Sequence, residues 1–130
     1  MKIKKFFCAI VCVILLAVTT LPAYADSSDS HSHIAYALGV RVTCNSSLSS
    51  TYAKSALHLS FDSGVNHLPQ SDYTAQAAAT VIYSGGSNYS YSIGNMSAAA
   101  TAYVPNGKTA TSSLHTYYVN GTQVYSKSLS

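Results

Sequence analysis

Residues 98–129, AAATAYVPNGKTATSSLHTYYVNGTQVYSKSL, decide the fold class, because two turn signals cut them into three segments of strand composition. In Val119-Asn120-Gly121-Thr122 the central pair, Asn then Gly, supplies the two residues tolerant of positive φ that a type I′ hairpin turn requires. A two-residue loop then sets Val119 opposite Thr122, Tyr118 opposite Gln123, Tyr117 opposite Val124 and Thr116 opposite Tyr125. Upstream, Pro105-Asn106-Gly107 presets φ for a type I turn and places Gly at the left-handed position after it, which predicts a second hairpin. Adjacent Tyr117 and Tyr118 must point to opposite faces of their strand.

Toward the N-terminus the same period of two recurs. Residues 95–104 set Met96, Ala98, Ala100, Ala102 and Val104 on one side, with Ser97, Ala99, Thr101 and Tyr103 on the other. Residues 73–83 contain helix-favouring alanines but end in Thr80-Val81-Ile82-Tyr83, before the turn Ser84-Gly85-Gly86-Ser87 and the alternating Tyr89, Tyr91 and Ile93. That context predicts a hairpin. Residues 52–62 put Leu57, Leu59 and Phe61 on one face and Ala56, His58, Ser60 and Asp62 on the other, and 65–70, with Pro69, reads as a loop. Residues 34–44 alternate throughout, with Ile34, Tyr36, Leu38, Val40, Val42 and Cys44 on the core side, and Asn45-Ser46-Ser47 is expected to break the run. Together these segments predict an all-β domain, a small antiparallel β-sandwich of about seven strands built from hairpins. With no Trp and no inter-sheet Cys pair, an immunoglobulin domain proper is not supported.

Residues 1–25 read as a cleaved secretory signal peptide: Lys2, Lys4 and Lys5 precede an apolar run, and Ala23-Tyr24-Ala25 offers a small-residue cleavage site. The run is shorter than the ~20 residues that cross a bilayer, so no membrane span is expected after cleavage. Residues 26–33, polar and without an apolar side chain, are expected to form a flexible lead-in, and 34–130 the secreted domain. The charge balance changes with the leader. Arg41, Lys54, Lys108 and Lys127 then stand against Asp26, Asp29, Asp62 and Asp72, with no Glu anywhere and no basic run. A nucleic-acid partner therefore has no electrostatic support.

The mature chain keeps one cysteine, Cys44, so it forms no internal disulfide; a buried thiol at a strand end is expected, and a bridge between chains is the sharper alternative. His31 and His33 share a side in an extended chain and, with Asp29, have the chemistry to share a soft cation. They lack the four-ligand set of a structural zinc site, so they are read as solvated and no metal or cofactor is assigned. Catalysis has little to use. His58, Ser60 and Asp62 share a strand face, yet residues i and i+4 lie ~13 Å apart there. There is no G-x-S-x-G and no S-x-x-K, and Asp62 with Asp72 is the one carboxylate pair outside the N-terminal segment. No catalytic residue is assigned, and a hydrolase of unknown type stays a distant alternative.

Binding has better material. Tyr89, Tyr91, Tyr103, Tyr117, Tyr118 and Tyr125 lie in or beside the hairpins, and tyrosine offers an apolar face with a hydroxyl rim. They are the candidate binding residues, for a cell-wall glycan or an extracellular protein. The sequons at Asn45, Asn88, Asn95 and Asn120 matter only in a host that glycosylates its secreted proteins. Signal style and composition resemble the small exported proteins of Gram-positive bacteria. Size and hairpin pattern are similar to β-sandwich bacteriocins of the lactococcin kind, and no aligned motif underlies that resemblance, so no residue role is carried over. The expectation is a secreted, extracellular or surface-associated, non-enzymatic binding protein, with a bacteriocin-like antimicrobial as the alternative.

Overall fold

The computed structural model describes residues 26–130; the signal-peptide reading of 1–25 lies outside the described residues. Eight strands follow in order: β1 (Ser27–Ala35), β2 (Val40–Leu48), β3 (Tyr52–Ser60), β4 (Ala75–Tyr83), β5 (Gly86–Gly94), β6 (Ser97–Tyr103), β7 (Ala110–Val119) and β8 (Thr122–Leu129). A single 3-10 turn, Gln70–Asp72, interrupts the loop before β4. All pairs are antiparallel, in two four-stranded sheets of order β1-β2-β3-β6 and β5-β4-β7-β8. The expected all-β architecture holds, with eight strands in place of about seven.

The added strand is β1, and it corrects the expected flexible lead-in. Residues 27–35 pair with β2 along their whole length, from Ser27 opposite Leu48 to Ala35 opposite Val40. Hydrophobic patterning misses this strand because backbone hydrogen bonds, rather than apolar burial, supply most of its pairing. The run from Ile34 to Cys44 is likewise two strands and not one. The chain turns over residues 36–39, where Gly39 takes φ 68 and donates to the Ala35 carbonyl at 2.9 Å. A Cβ at Gly39 would collide with the backbone oxygen of Asn66, so only glycine fits there. Tyr36, expected toward the core, sits on this turn and is 76% exposed. Val40, Val42 and Cys44 keep their inward parity, and β2 runs on through Asn45-Ser46-Ser47, where a break was expected.

Turn chemistry is as expected at both signals, but its topological meaning differs. Asn120 and Gly121 take φ 49 and 79, and Val119–Thr122 and Tyr118–Gln123 face each other. Beyond them a bulge intervenes, so Tyr117 faces Tyr125 and Thr116 faces Ser126 instead of the expected partners. At Pro105 a turn forms, with Lys108 N–H bonded to the Pro105 carbonyl at 3.1 Å and Gly107 at φ 79. Its flanking strands enter different sheets, so it is a crossover and not a hairpin. The β2–β3 turn holds the crossover in place: Val104 N–H donates to Thr51 and Ala110 N–H to Ser50. The expected hairpin of β4 and β5 is present, its nine pairs unbroken from Tyr83–Gly86 to Ala75–Gly94.

The two sheets face each other across two apolar clusters. One gathers Val40, Val42, Cys44, Leu57, Leu59, Tyr73, Tyr117 and Val119 with small alanines; the other gathers Leu48, Ala53, Ala79, Val81, Ala102, Ala110 and Leu129. Ser46, Ser55, Ser113 and His115, all buried, occupy the inward positions between them on β2, β3 and β7. The core is thus apolar at both ends and polar across its middle.

Candidate functional site

In β4 and β7 the inward positions are Ala75, Ala77, Ala79, Val81, Ser113, His115, Tyr117 and Val119, so the alternate residues form the outer face of their sheet. β5 extends that face with Tyr89, Tyr91 and Ile93, set opposite Thr80, Ala78 and Gln76 of β4. Tyr89 is 62% exposed, Tyr91 59% and Ile93 57%; Ile82 and Leu114 are also exposed on this face. The two β5 tyrosine rings stack with centroids 6.0 Å apart and planes inclined by 30°. Under them Ala78 is buried although it points outward, because a methyl group lies in the dip that the larger side chains frame. Tyr118 joins the face from β7, half-buried, and the remaining outward side chains of β4 and β7 are Gln76, Thr80, Ser112 and Thr116. None of these residues is charged.

The other three candidate tyrosines lie elsewhere. Tyr103 is exposed on the outer face of the opposite sheet, beside Tyr52 at 6.1 Å between ring centroids. Tyr117 is fully buried: its hydroxyl donates to the Asn45 carbonyl at 2.7 Å and accepts from Ser46 Oγ at 2.7 Å. Burial raises its pKa. Tyr125 points inward at the β1/β8 side, donating to Asp29 Oδ2 at 2.7 Å and stacking on His31 with centroids 4.3 Å apart. The Asp29 hydrogen bond pushes its hydroxyl up to about 12, and the same bond lowers Asp29, which also meets Lys127 Nζ at 3.4 Å. Tyr117 and Tyr118 thus face opposite ways, as expected. Ile82 and Leu114, which complete the exposed face, carry no sequence signal of their own beyond strand parity.

Among the described residues, the groups weighed for catalysis are dispersed or already paired. Arg41 engages the Asp62 carboxylate with Nε at 3.0 Å from Oδ1 and Nη2 at 2.6 Å from Oδ2, which lowers Asp62 and raises Arg41. His58 stands apart on the outer face of β3. The closest serine–histidine contacts are internal: His115 Nδ1 lies 2.8 Å from Ser55 Oγ, and Nε2 lies 2.7 Å from Ser113 Oγ. Ser55 spends its single proton on the Ala78 carbonyl at 2.7 Å, so it accepts from Nδ1–H, and Nε2 accepts from Ser113. That assigns the neutral Nδ1–H tautomer to His115. Burial pulls its pKa down to about 4, and with no solvent-exposed surface it meets no substrate. Burial also pushes the Cys44 thiol up to about 12, which leaves it inert. Among the described residues no group of three His, Cys, Asp or Glu is placed to hold a metal ion, and no helix is long and apolar enough to cross a membrane.

A hydroxyl-rich hollow of about 340 Å³ lies on the other sheet between β1, β2 and β3, lined by Ser28, Ser30, Asn45, Ser47 and Lys54 among others. It carries no stacked aromatic ring. No family model, no curated protein and no solved structure matches this chain.

Proposed function

We propose that this chain is a secreted, non-enzymatic domain that holds a neutral glycan of the cell envelope on the outer face of the β5-β4-β7-β8 sheet. The observation that carries this reading is the stacked, solvent-facing pair Tyr89 and Tyr91 beside Ile93 on a face without charge. A sugar ring presents C–H groups on its faces and hydroxyls at its rim. Tyrosine rings match the first, while Gln76, Thr80, Thr116 and the tyrosine hydroxyls match the second. The absence of charge selects against anionic polymers, and retention of a neutral chain should be nearly independent of salt.

The test is retention of residues 26–130 on isolated Gram-positive cell walls. Wild-type protein is expected in the pellet at low and at high salt, and Tyr89→Ala/Tyr91→Ala in the supernatant with an unchanged circular dichroism spectrum. Equal retention of the double variant, or no retention of wild type, overturns the reading. Growth arrest of related strains on adding the purified protein would favour a bacteriocin-like antagonist instead.

A further inference from the structure

Four strands end the two sheets: β1 and β6 in one, β5 and β8 in the other. A free row of N–H and C=O groups is a template for another strand, and natural sheets blunt it with charge, proline, bulges or cover. Two of these edges are blunted by charge or a bulge. β1 and β8 are clasped to each other through Asp29, Tyr125 and Lys127, and β8 meets β7 through a bulge. β6, shorter at seven residues, accepts at the Tyr103 carbonyl a side-chain bond from Asn88 Nδ2 of β5 at 2.7 Å, which leaves the β5 backbone groups untouched.

β5 is different. Its nine residues, GSNYSYSIG, contain neither charge nor proline, and its register with β4 has no shift. Among the described residues it makes no backbone hydrogen bond outside that pairing. The pairing starts at Tyr83 opposite Gly86 across a two-residue loop, so every second residue from Gly86 bonds to β4. The others, Ser87, Tyr89, Tyr91 and Ile93, turn their N–H and C=O groups outward.

We propose that β5 is a self-association edge, at which two copies of this chain join antiparallel, β5 against β5, about a two-fold axis through Ser90. Centring on Ser90 overlaps all nine residues and makes the outward groups partners of one another: Tyr89 meets Tyr91 of the second copy, and Ser87 meets Ile93. An uncharged strand meets its own copy without like-charge repulsion. On its inner face β5 carries Asn88, whose amide is bonded to the Tyr103 carbonyl of β6, and the small Ser90 and Ser92. The contact is isologous, so it closes at two chains and does not grow into a fibre. The product is a continuous eight-stranded sheet with the tyrosines of both copies on one face. The inference stands independently of what that face holds.

Residues 26–130 contain all eight strands and both apolar clusters, and serve as the test protein. Sedimentation equilibrium at loadings from on the order of 1 µM to 1 mM is expected to show monomer–dimer exchange. Ser87→Pro removes one outward N–H and keeps the bonds to β4; it should weaken the dimer at least tenfold with an unchanged circular dichroism spectrum. Ser90→Cys reports the register. The symmetric pair at position 90 is a non-hydrogen-bonded one with Cα atoms about 4.5 Å apart, within disulfide reach. Cys44 is buried, so only the introduced thiol reacts. A disulfide-linked dimer should form in air from Ser90→Cys and not from Ser112→Cys on β7. Monomer at every loading, a dimer indifferent to Ser87→Pro, or a Ser90→Cys protein that does not cross-link would each overturn the proposal.

Discussion

Acidification should destabilise this domain through His115, in a pH window well above that of its carboxylates. In the folded chain the ring is held between Ser55 of β3, whose own proton goes to the Ala78 carbonyl of β4, and Ser113 of its own strand, and both nitrogens are satisfied only in the neutral form. Lys127, opposite it on β8, directs its ammonium to Asp29, whose negative charge raises the histidine slightly against the larger effect of burial. The folded pKa of about 4 lies below the ordinary 6.5, so between these values the unfolded chain binds a proton that the folded chain refuses. Stability is full above the upper value and is lost as pH falls through the lower one. The gap corresponds to roughly 3 kcal/mol, a large share of the 5 to 15 kcal/mol that holds a typical domain together.

The assay is urea unfolding from about pH 7 to about pH 4, on wild type and on His115→Gln, which can donate to Ser55 and accept from Ser113 without titrating. His33, also lowered by partial burial and by His31, contributes a slope of the same sign. Asp29 and Asp62 are lowered too, so their contributions fade only below the ordinary aspartate value of 3.8. The comparison between proteins isolates His115: wild type should lose roughly 3 kcal/mol more than the variant across that interval. Parallel pH dependence of the two proteins would refute the reasoning.

Two further outcomes follow from the same geometry. Tyr117→Phe strips a buried hydroxyl from the Asn45 carbonyl and Ser46, leaving both without that partner, and should lower urea-derived stability by about 2 kcal/mol with an unchanged m-value. Gly94→Ala places a Cβ against the Ser97 backbone oxygen at the corner where the chain leaves one sheet for the other. It should abolish cooperative melting in circular dichroism, whereas Gly64→Ala, at φ 85 with open space around it, should cost about 1 to 2 kcal/mol.

Strand parity was legible wherever large apolar and polar residues alternate on a half-buried strand. Leu57 and Leu59 on β3, and Ala98, Ala100 and Ala102 on β6, face the core as their spacing implies. The misses share a physical cause. Ser46 occupies a core position and its hydroxyl donates to Tyr117, so a residue that reads as a turn former continues β2. In β1, Asp29 and His31 face inward and find Tyr125, a partner nearly a full domain away in sequence that no local pattern reports. Pro105-Asn106-Gly107 turns the chain as its dihedral preferences require, but the choice of sheet for the next strand rests on the Ser50 and Thr51 carbonyls that receive it.

Six tyrosines in strand-like contexts are equivalent to a reader of the sequence, and what separates them is where each hydroxyl is satisfied. Tyr117 has a buried carbonyl within reach and Tyr125 a carboxylate, so both rings turn inward; Tyr89 and Tyr91 have neither and remain exposed. On β5 the usual polarity of a half-buried strand is reversed, with Tyr, Tyr and Ile outside and Ser, Ser and Gly inside. The sharp corner at Gly94 brings β5 close over β6, leaving room only for small side chains between them. The inner face of this strand therefore contributes little apolar burial, so packing gives no reason for three large residues on its outer face. The face proposed above for binding thus rests on three large residues at 86–94 that packing does not account for.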